Sequence, residues 1–279
     1  MRMTNRLEGK WALVTGASSG FGAETARQFA GMGMNLLLGA RREERLAEVA
    51  AECTGWGAAS AHVRTLAVPC TERVNVFADW AGSTAGRVDV LVNNAGGAHG
   101  VDRVEDGKDA DWETMFQSNA LGILRVTRAV LPLMKPHPGG VILNIGSIAG
   151  RVAYEGGSAY CASKAAELSI TKALRLELNG TGLRVGTVDP GMAETEFSMV
   201  RLKGDAEKAD AVYAGVEPLT AEELRVIEQI SAWLGPEEAR RLPYDTLVTF
   251  VRGYAYRVDW AEASFAYLDR CLKWRRQMD

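Results

Sequence analysis

Tyr160 and Lys164 stand four residues apart, the spacing that places two side chains on one face of a helix. A phenol able to give or take a proton would there sit beside an ammonium. Ser147 lies 13 residues earlier, at the end of an apolar run. Asn119 falls within a long amphipathic stretch, a position that helix propensity disfavours for Asn. Singly, each is compatible with a solvated polar group or a local hydrogen bond. Together they describe a cleft that handles protons. Near the start, the apolar Trp11–Thr15 runs into Gly16-Ala-Ser18-Ser19-Gly20-Phe21-Gly22. Glycines there let backbone approach a pyrophosphate, and the following helix offers amide donors and the positive end of its dipole. A plain tight turn is the alternative. At the end of the next apolar run, 19 residues after Gly22, the chain has Ala40-Arg41-Arg42. An NAD site would place an acid there, against the ribose 2′-hydroxyl. A guanidinium fork suits a 2′-phosphate and points to NADP, unless both arginines merely pair with Glu43 and Glu44.

These residues need a scaffold, and the hydrophobic pattern supplies one. Short apolar runs at 11–15, 35–39, 63–68, 88–92, 141–145 and 183–188 read as strands. Amphipathic segments at 25–32, 43–53, 72–81, 112–134 and 159–179 read as the helices between them. Strands with little alternation, separated by helices, predict an α/β fold with a doubly wound parallel sheet of Rossmann type. The rhythm breaks after residue 197. Thr220-Ala-Glu-Glu223 is a capping box that opens a helix to Leu234, where Gly235-Pro236 stops it. A second box, Asp259-Trp-Ala-Glu262, opens a helix with Phe265, Leu268 and Leu272 on one face. The expected division is a Rossmann-type dinucleotide-binding domain over 1–236 and an atypical helical appendage over 237–279.

Composition sets outer limits. The 279 residues carry a net charge of −3, with 47% hydrophobic and 24% charged, values ordinary for a folded globular protein. That balance disfavours a dedicated nucleic-acid binder. Four scattered cysteines without a C-x-x-C pair, and three histidines, give no metal-ligand spacing. The N-terminus offers no signal-peptide core, and no run reaches about 18 apolar residues. The expectation is a reduced, cytoplasmic protein with no metal and no membrane span.

Thr15-Gly-Ala-Ser-Ser-Gly-Phe-Gly22, Asn93-Asn-Ala-Gly96, Asn119, Ser147, Tyr160-x-x-x-Lys164 and Pro190-Gly191 together resemble the short-chain dehydrogenase/reductase family over roughly residues 5–235. Met192–Phe197, Val200-Arg-Leu-Lys-Gly-Asp205 and Glu217–Glu222 are similar to its NADP-dependent 3-hydroxy-acid branch, which includes serine and L-allo-threonine dehydrogenases. The resemblance implies that Tyr160 is the general acid/base, its pKa drawn from about 10 toward 7 by Lys164 and the nicotinamide charge, roughly 4 kcal/mol of differential stabilisation. It implies that Lys164 holds the nicotinamide ribose, Ser147 the substrate oxygen, and Asn119 a water in a proton relay. Asn93, Ala95 and Gly96 would lie near the adenosine ribose. Pro190, Gly191, Ala193 and Thr195 would bracket the nicotinamide amide and pyrophosphate. A small alcohol or carbonyl substrate and a homodimer or homotetramer are implied too. A bulkier secondary alcohol or ketone, or a non-catalytic NADPH-reading scaffold, are the rival expectations. Arg201 and Lys203 could hold a substrate carboxylate or simply be solvated.

Two features depart from the family. Pro69 stands where an Asp would contact adenine, with Cys70 beside it, so the grip on adenine would rest on backbone. Beyond Glu223 the family supplies a helix and a seventh strand, whereas this chain shows no apolar β run after residue 236. The tail is faintly similar to the small helical module that precedes CRAL-TRIO domains, without the lipid-binding part. A helical pair packed on the core explains it more simply.

Overall fold

The computed structural model describes residues 7–213, together with Pro218, Thr220 and Ala221. The helices expected at 220–234 and in 237–279, and the question of a seventh strand, lie outside the described residues. Six strands form one sheet: β1 (Trp11–Thr15), β2 (Asn35–Ala40), β3 (Ser60–Thr65), β4 (Val90–Asn93), β5 (Val141–Ile145) and β6 (Arg184–Val188). Their order is β3-β2-β1-β4-β5-β6, every pairing parallel, with Val14 opposite both Leu38 and Val92. Winding reverses between β1 and β4, and such a reversal opens a crevice at the carboxyl ends of the strands.

Successive side chains on a strand point to opposite faces, and both faces here are apolar. Val14, Leu36, Leu38, Val92 and Leu143 face α1 (Gly20–Gly31) and α2 (Glu43–Gly55), which bring Phe29 and Leu46. Leu13, Leu37, Leu91, Ile142 and Val185 face α3 (Thr71–Ala85) and the later α5 (Leu121–Met134), which bring Phe77, Val126 and Val130. Each fully buried Phe contributes about 2–3 kcal/mol of transfer free energy.

Two elements depart from the sequence pattern. The apolar run expected as a strand over 63–68 lies three residues further along than β3. β3 is an edge strand with a half-exposed outer row, and Leu66 and Val68 follow it as core plugs instead. The stretch expected as one helix over 112–134 is α4 (Asp109–Met115), a wider π turn at Phe116–Ala120, and then α5. Asn119 sits in that π turn, a form that recurs at functional positions. Beyond it come α6 (Ser158–Glu177), α7 (Phe197–Arg201) and α8 (Ala206–Ala211). Among the described residues, no helix is long and apolar enough to cross a membrane.

Candidate active site

A cleft of about 1420 Å3 runs along the carboxyl ends of the central strands. One end is the glycine loop between β1 and α1. Gly16 has φ +67°, a conformation that costs glycine least. The Asn94 side-chain amide donates to the carbonyls of Thr15 at 3.0 Å and Gly16 at 3.2 Å. Thr15 Oγ1 accepts from the backbone N–H groups of Asn94 and Ala95, both at 3.0 Å. A Cβ at Gly22 would lie 2.4 Å from the Gly16 carbonyl oxygen, so the first turn of α1 packs directly beneath the loop. Ser19 precedes α1 without capping it, leaving first-turn amides for an anion. The loop and helix end therefore fit a dinucleotide pyrophosphate.

Beyond the loop, Leu66, Val68 and Pro69 wall the cleft on one side and Arg41 and Arg42 on the other. Neither arginine pairs with Glu43 or Glu44. Arg41 is exposed, and its side chain makes no hydrogen bond or ion pair among the described residues. Arg42 donates to Ser19 Oγ at 2.7 Å and to Ser18 Oγ at 3.3 Å. It also reaches across the cleft to Glu196 at 2.8 Å, and Arg45 holds the same carboxylate at 2.7 Å. The hydrogen bond from Arg42 holds Glu196 below the usual carboxylate range, and Arg45 adds to it. Half-exposed pairs of this kind add little stability, so the contact chiefly positions the segment after β6. Glu196 was not legible as a site residue, because its partners lie about 150 residues away and no local pattern marks it.

At the other end α6 presents Tyr160 and Lys164, and Ser147 follows β5. Ser147 lines the cleft beside Tyr160 and accepts from the Ala149 N–H at 3.2 Å. The Tyr160 ring meets Phe197 edge-on, with centroids 5.4 Å apart. Burial pushes the Tyr160 hydroxyl up to about 12, while the Ser147 hydrogen bond and the Arg201 charge pull it down. Lys164 is buried, and its Nζ donates to the Ile145 carbonyl at 2.7 Å. Burial lowers its pKa, opposed by the charges of Glu167 and Asp189. The nearby positive charge that favours the phenolate here is that of Arg201.

A buried polar network backs the floor. Glu167 is fully buried, with Oε1 accepting from Thr171 at 3.0 Å and Oε2 without a hydrogen-bond partner. Burial raises its pKa, and the Lys164 charge opposes that. Asp189 accepts from Thr187 at 2.8 Å and from Arg151 at 2.7 Å. A Cβ on Gly146 would lie 2.0 Å from Asp189 Oδ1 and 2.9 Å from Glu167 Oε2, so only glycine leaves room where these two carboxyls converge.

The cleft gathers most of the residues the sequence suggested. Gly16, Ser18, Ser19, Gly20, Phe21, Arg41, Arg42, Ala95 and Gly96 line the half with the glycine loop, and Ser147, Tyr160, Lys164, Pro190, Gly191, Ala193 and Thr195 line the rest. Four do not reach it. Gly22 is packed beneath the loop. Cys70 caps the start of α3, its thiol donating to Glu72 at 3.2 Å. Asn93 points into the core and donates to Thr127 at 3.0 Å and Asn144 at 2.8 Å, so its neighbour Asn94 serves the cleft instead. Asn119 lies behind the wall. Its Oδ1 accepts from the Gly97 N–H at 2.9 Å, and its Nδ2 donates to the Gly97 carbonyl at 2.8 Å and to Ser163 at 3.0 Å. That side chain ties the loop after β4 to α6.

Residues 10–206 match the family model described as short chain dehydrogenase. The chain is 44% identical over 221 residues to the NADP-dependent 3-hydroxy acid dehydrogenase of Schizosaccharomyces pombe, covering 79% of this chain and 85% of that one. It is 45% identical over 213 residues to sulfoacetaldehyde reductase 2 of Chromohalobacter salexigens, covering 76% and 84%. Its structure is similar to the closed form of a serine dehydrogenase complexed with NADP+, with a TM-score of 0.73 at 36% identity, covering 84% of this chain and 90% of that one. A matched model spanning most of the chain, relatives above 40% identity and a shared fold lead to one conclusion: this chain belongs to the short-chain dehydrogenase family.

Proposed function

We propose that this chain moves hydride between NADP and the hydroxyl- or carbonyl-bearing carbon of a small 3-hydroxy acid. The observation that carries this reading is that Tyr160, Ser147 and Lys164 line one cleft together with the glycine loop. The bound nicotinamide supplies or accepts the hydride. Tyr160 gives its proton to the carbonyl oxygen in reduction and takes it back in oxidation. Ser147 orients that oxygen. Lys164, anchored on Ile145, presents its remaining donors to the ribose end of the cofactor. Phe197 packs on Tyr160 and keeps water from its ring.

NADP over NAD is supported by the two guanidinium groups and the absence of an acid at the end of β2. Arg41, with no competing contact, is the donor available to a 2′-phosphate. Arg41→Asp should lower the preference for NADP over NAD by about 10- to 100-fold, the worth of a charge-assisted contact. Steady-state kinetics with both cofactors read this ratio, and an unchanged ratio removes Arg41 from the phosphate site.

The substrate class draws on the relatives. A 3-hydroxy acid and sulfoacetaldehyde each carry an acid group on the carbon next to the reacting one. The deciding assay is NADP+ reduction across 3-hydroxy acids, amino alcohols and bulky secondary alcohols. Turnover confined to the bulky set would favour a second reading, which the apolar Ile148, Val152 and Tyr154 along the cleft support.

A further inference from the structure

We infer that Arg201 is the anion anchor of the substrate chamber, selecting substrates by a carboxylate or sulfonate on the carbon next to the reacting one. This rests on the function proposed above and names the residue that sets its specificity. Arg201 ends α7 and lines the cleft. Its guanidinium carbon lies 5.4 Å from the Tyr154 ring centroid and 5.9 Å from that of Tyr160. It also contacts the Tyr154 hydroxyl. Nε donates to the Gly100 carbonyl at 3.0 Å. Nη2 is buried and has no hydrogen-bond partner.

A buried guanidinium donor left unpaired is costly, and a planar fork is matched to a carboxylate or sulfonate. No carboxylate among the described residues forms an ion pair with Arg201. Glu196, the acid lining the cleft, is held by Arg42 and Arg45 instead. The other basic candidate, Lys203, is paired with Asp111 at 2.8 Å and does not line the cleft. Arg41 and Arg42 lie with the glycine loop. His99, on the loop that holds Arg201, lines the cleft and is the remaining group able to assist.

Geometry then restricts substrate length. The guanidinium carbon lies 5.9 Å from the centre of the ring whose hydroxyl exchanges the proton. An anion seated on Arg201 therefore leaves only a few bonds to the carbon facing Tyr160. Charge and spacing, rather than the atom at the centre of the acid, decide what is accepted, so carboxylates and sulfonates are both admitted.

The test compares 3-hydroxypropionate and 2-hydroxyethanesulfonate with uncharged 3-hydroxypropionamide. Turnover with NADP+ and ligand-observed NMR binding are measured on the wild type, Arg201→Gln and Arg201→Lys. The wild type should favour both anions over the amide. Arg201→Gln should cut that preference roughly 100-fold, mainly in KM, and Arg201→Lys should keep part of it, having the charge without the fork. Unchanged anion preference in Arg201→Gln, with NADPH binding intact, overturns the anchor. So does a wild type that binds neither anion. Arg201-dependent anion binding without turnover of any substrate leaves the anchor standing and overturns the proposed reaction. If Arg201→Gln fails to fold, the same ratios in Arg201→Lys decide, since full retention there contradicts a bidentate contact.

Discussion

Tyr160→Phe should lower turnover by about 1000-fold or more while leaving NADPH affinity within twofold of the wild type, general acid–base catalysis alone accounting for roughly 100- to 10,000-fold. The substitution deletes one oxygen. The ring keeps its edge contact with Phe197, and the glycine loop is untouched. The pH profile gives a second readout. Burial holds the phenol at about 12 in this structure, so at neutral pH it carries the proton that carbonyl reduction needs. Alcohol oxidation needs the phenolate, so its rate should rise throughout pH 6 to 10, while reduction, which needs the phenol, should stay level over that range. The rise in oxidation should vanish in the Tyr160→Phe variant. Fluorescence titration of NADPH with stopped-flow turnover from pH 6 to 10 checks this, and retained turnover removes Tyr160 from the proton step.

The second expected result concerns Lys164→Met. It should abolish measurable turnover and make the protein's stability fall as pH rises. Lys164 supplies the charge that opposes burial at Glu167, and Asp189, close by, opposes ionisation there. Without the ammonium, Glu167 stays protonated to higher pH in the folded protein than in the unfolded chain, where it titrates near 4.5. A group whose folded pKa is raised contributes stability below its unfolded value, and that contribution is lost as pH climbs toward the folded one. The decline should therefore begin near pH 4.5 and extend further upward than in the wild type. At its alkaline end the cost should approach about 3 kcal/mol, typical of an uncompensated buried charge. Adding Glu167→Gln should flatten the curve without restoring activity. Urea unfolding of the single and double variants from pH 5 to 9 reads both slopes, and parallel slopes would show that the two groups do not sense each other.

The scaffold was largely legible because the parallel strands are covered on both faces and read as continuous apolar runs. β3 was misplaced because an edge strand loses that signature, while Leu66 and Val68 beyond it are apolar for another reason. The π turn was invisible because helical spacing predicts an unbroken ladder, and Asn119 was its one local sign. Tyr160, Lys164 and Ser147 could be read because their spacing is short and set by one helix and one strand end. The Asn93/Asn94 pair shows the limit. Adjacent identical residues on a strand end point to opposite sides, and only the packed core decides which one turns inward. Glu196 acts through Arg42 and Arg45, which the sheet topology brings near and no short motif encodes.

The hold between Arg201 and Gly100 has a consequence for engineering. The Gly100 N–H donates to the Arg201 carbonyl at 2.8 Å, while the Arg201 side chain returns a bond to the Gly100 carbonyl. Two segments a hundred residues apart are thereby latched as one piece. Chimeras that graft residues 194–213 from a relative should bring residues 97–102 with them. Exchanged alone, residues 194–213 without an arginine at 201 lose the side-chain half of the latch, and residues 97–102 without a glycine at 100 strain a φ of +73°.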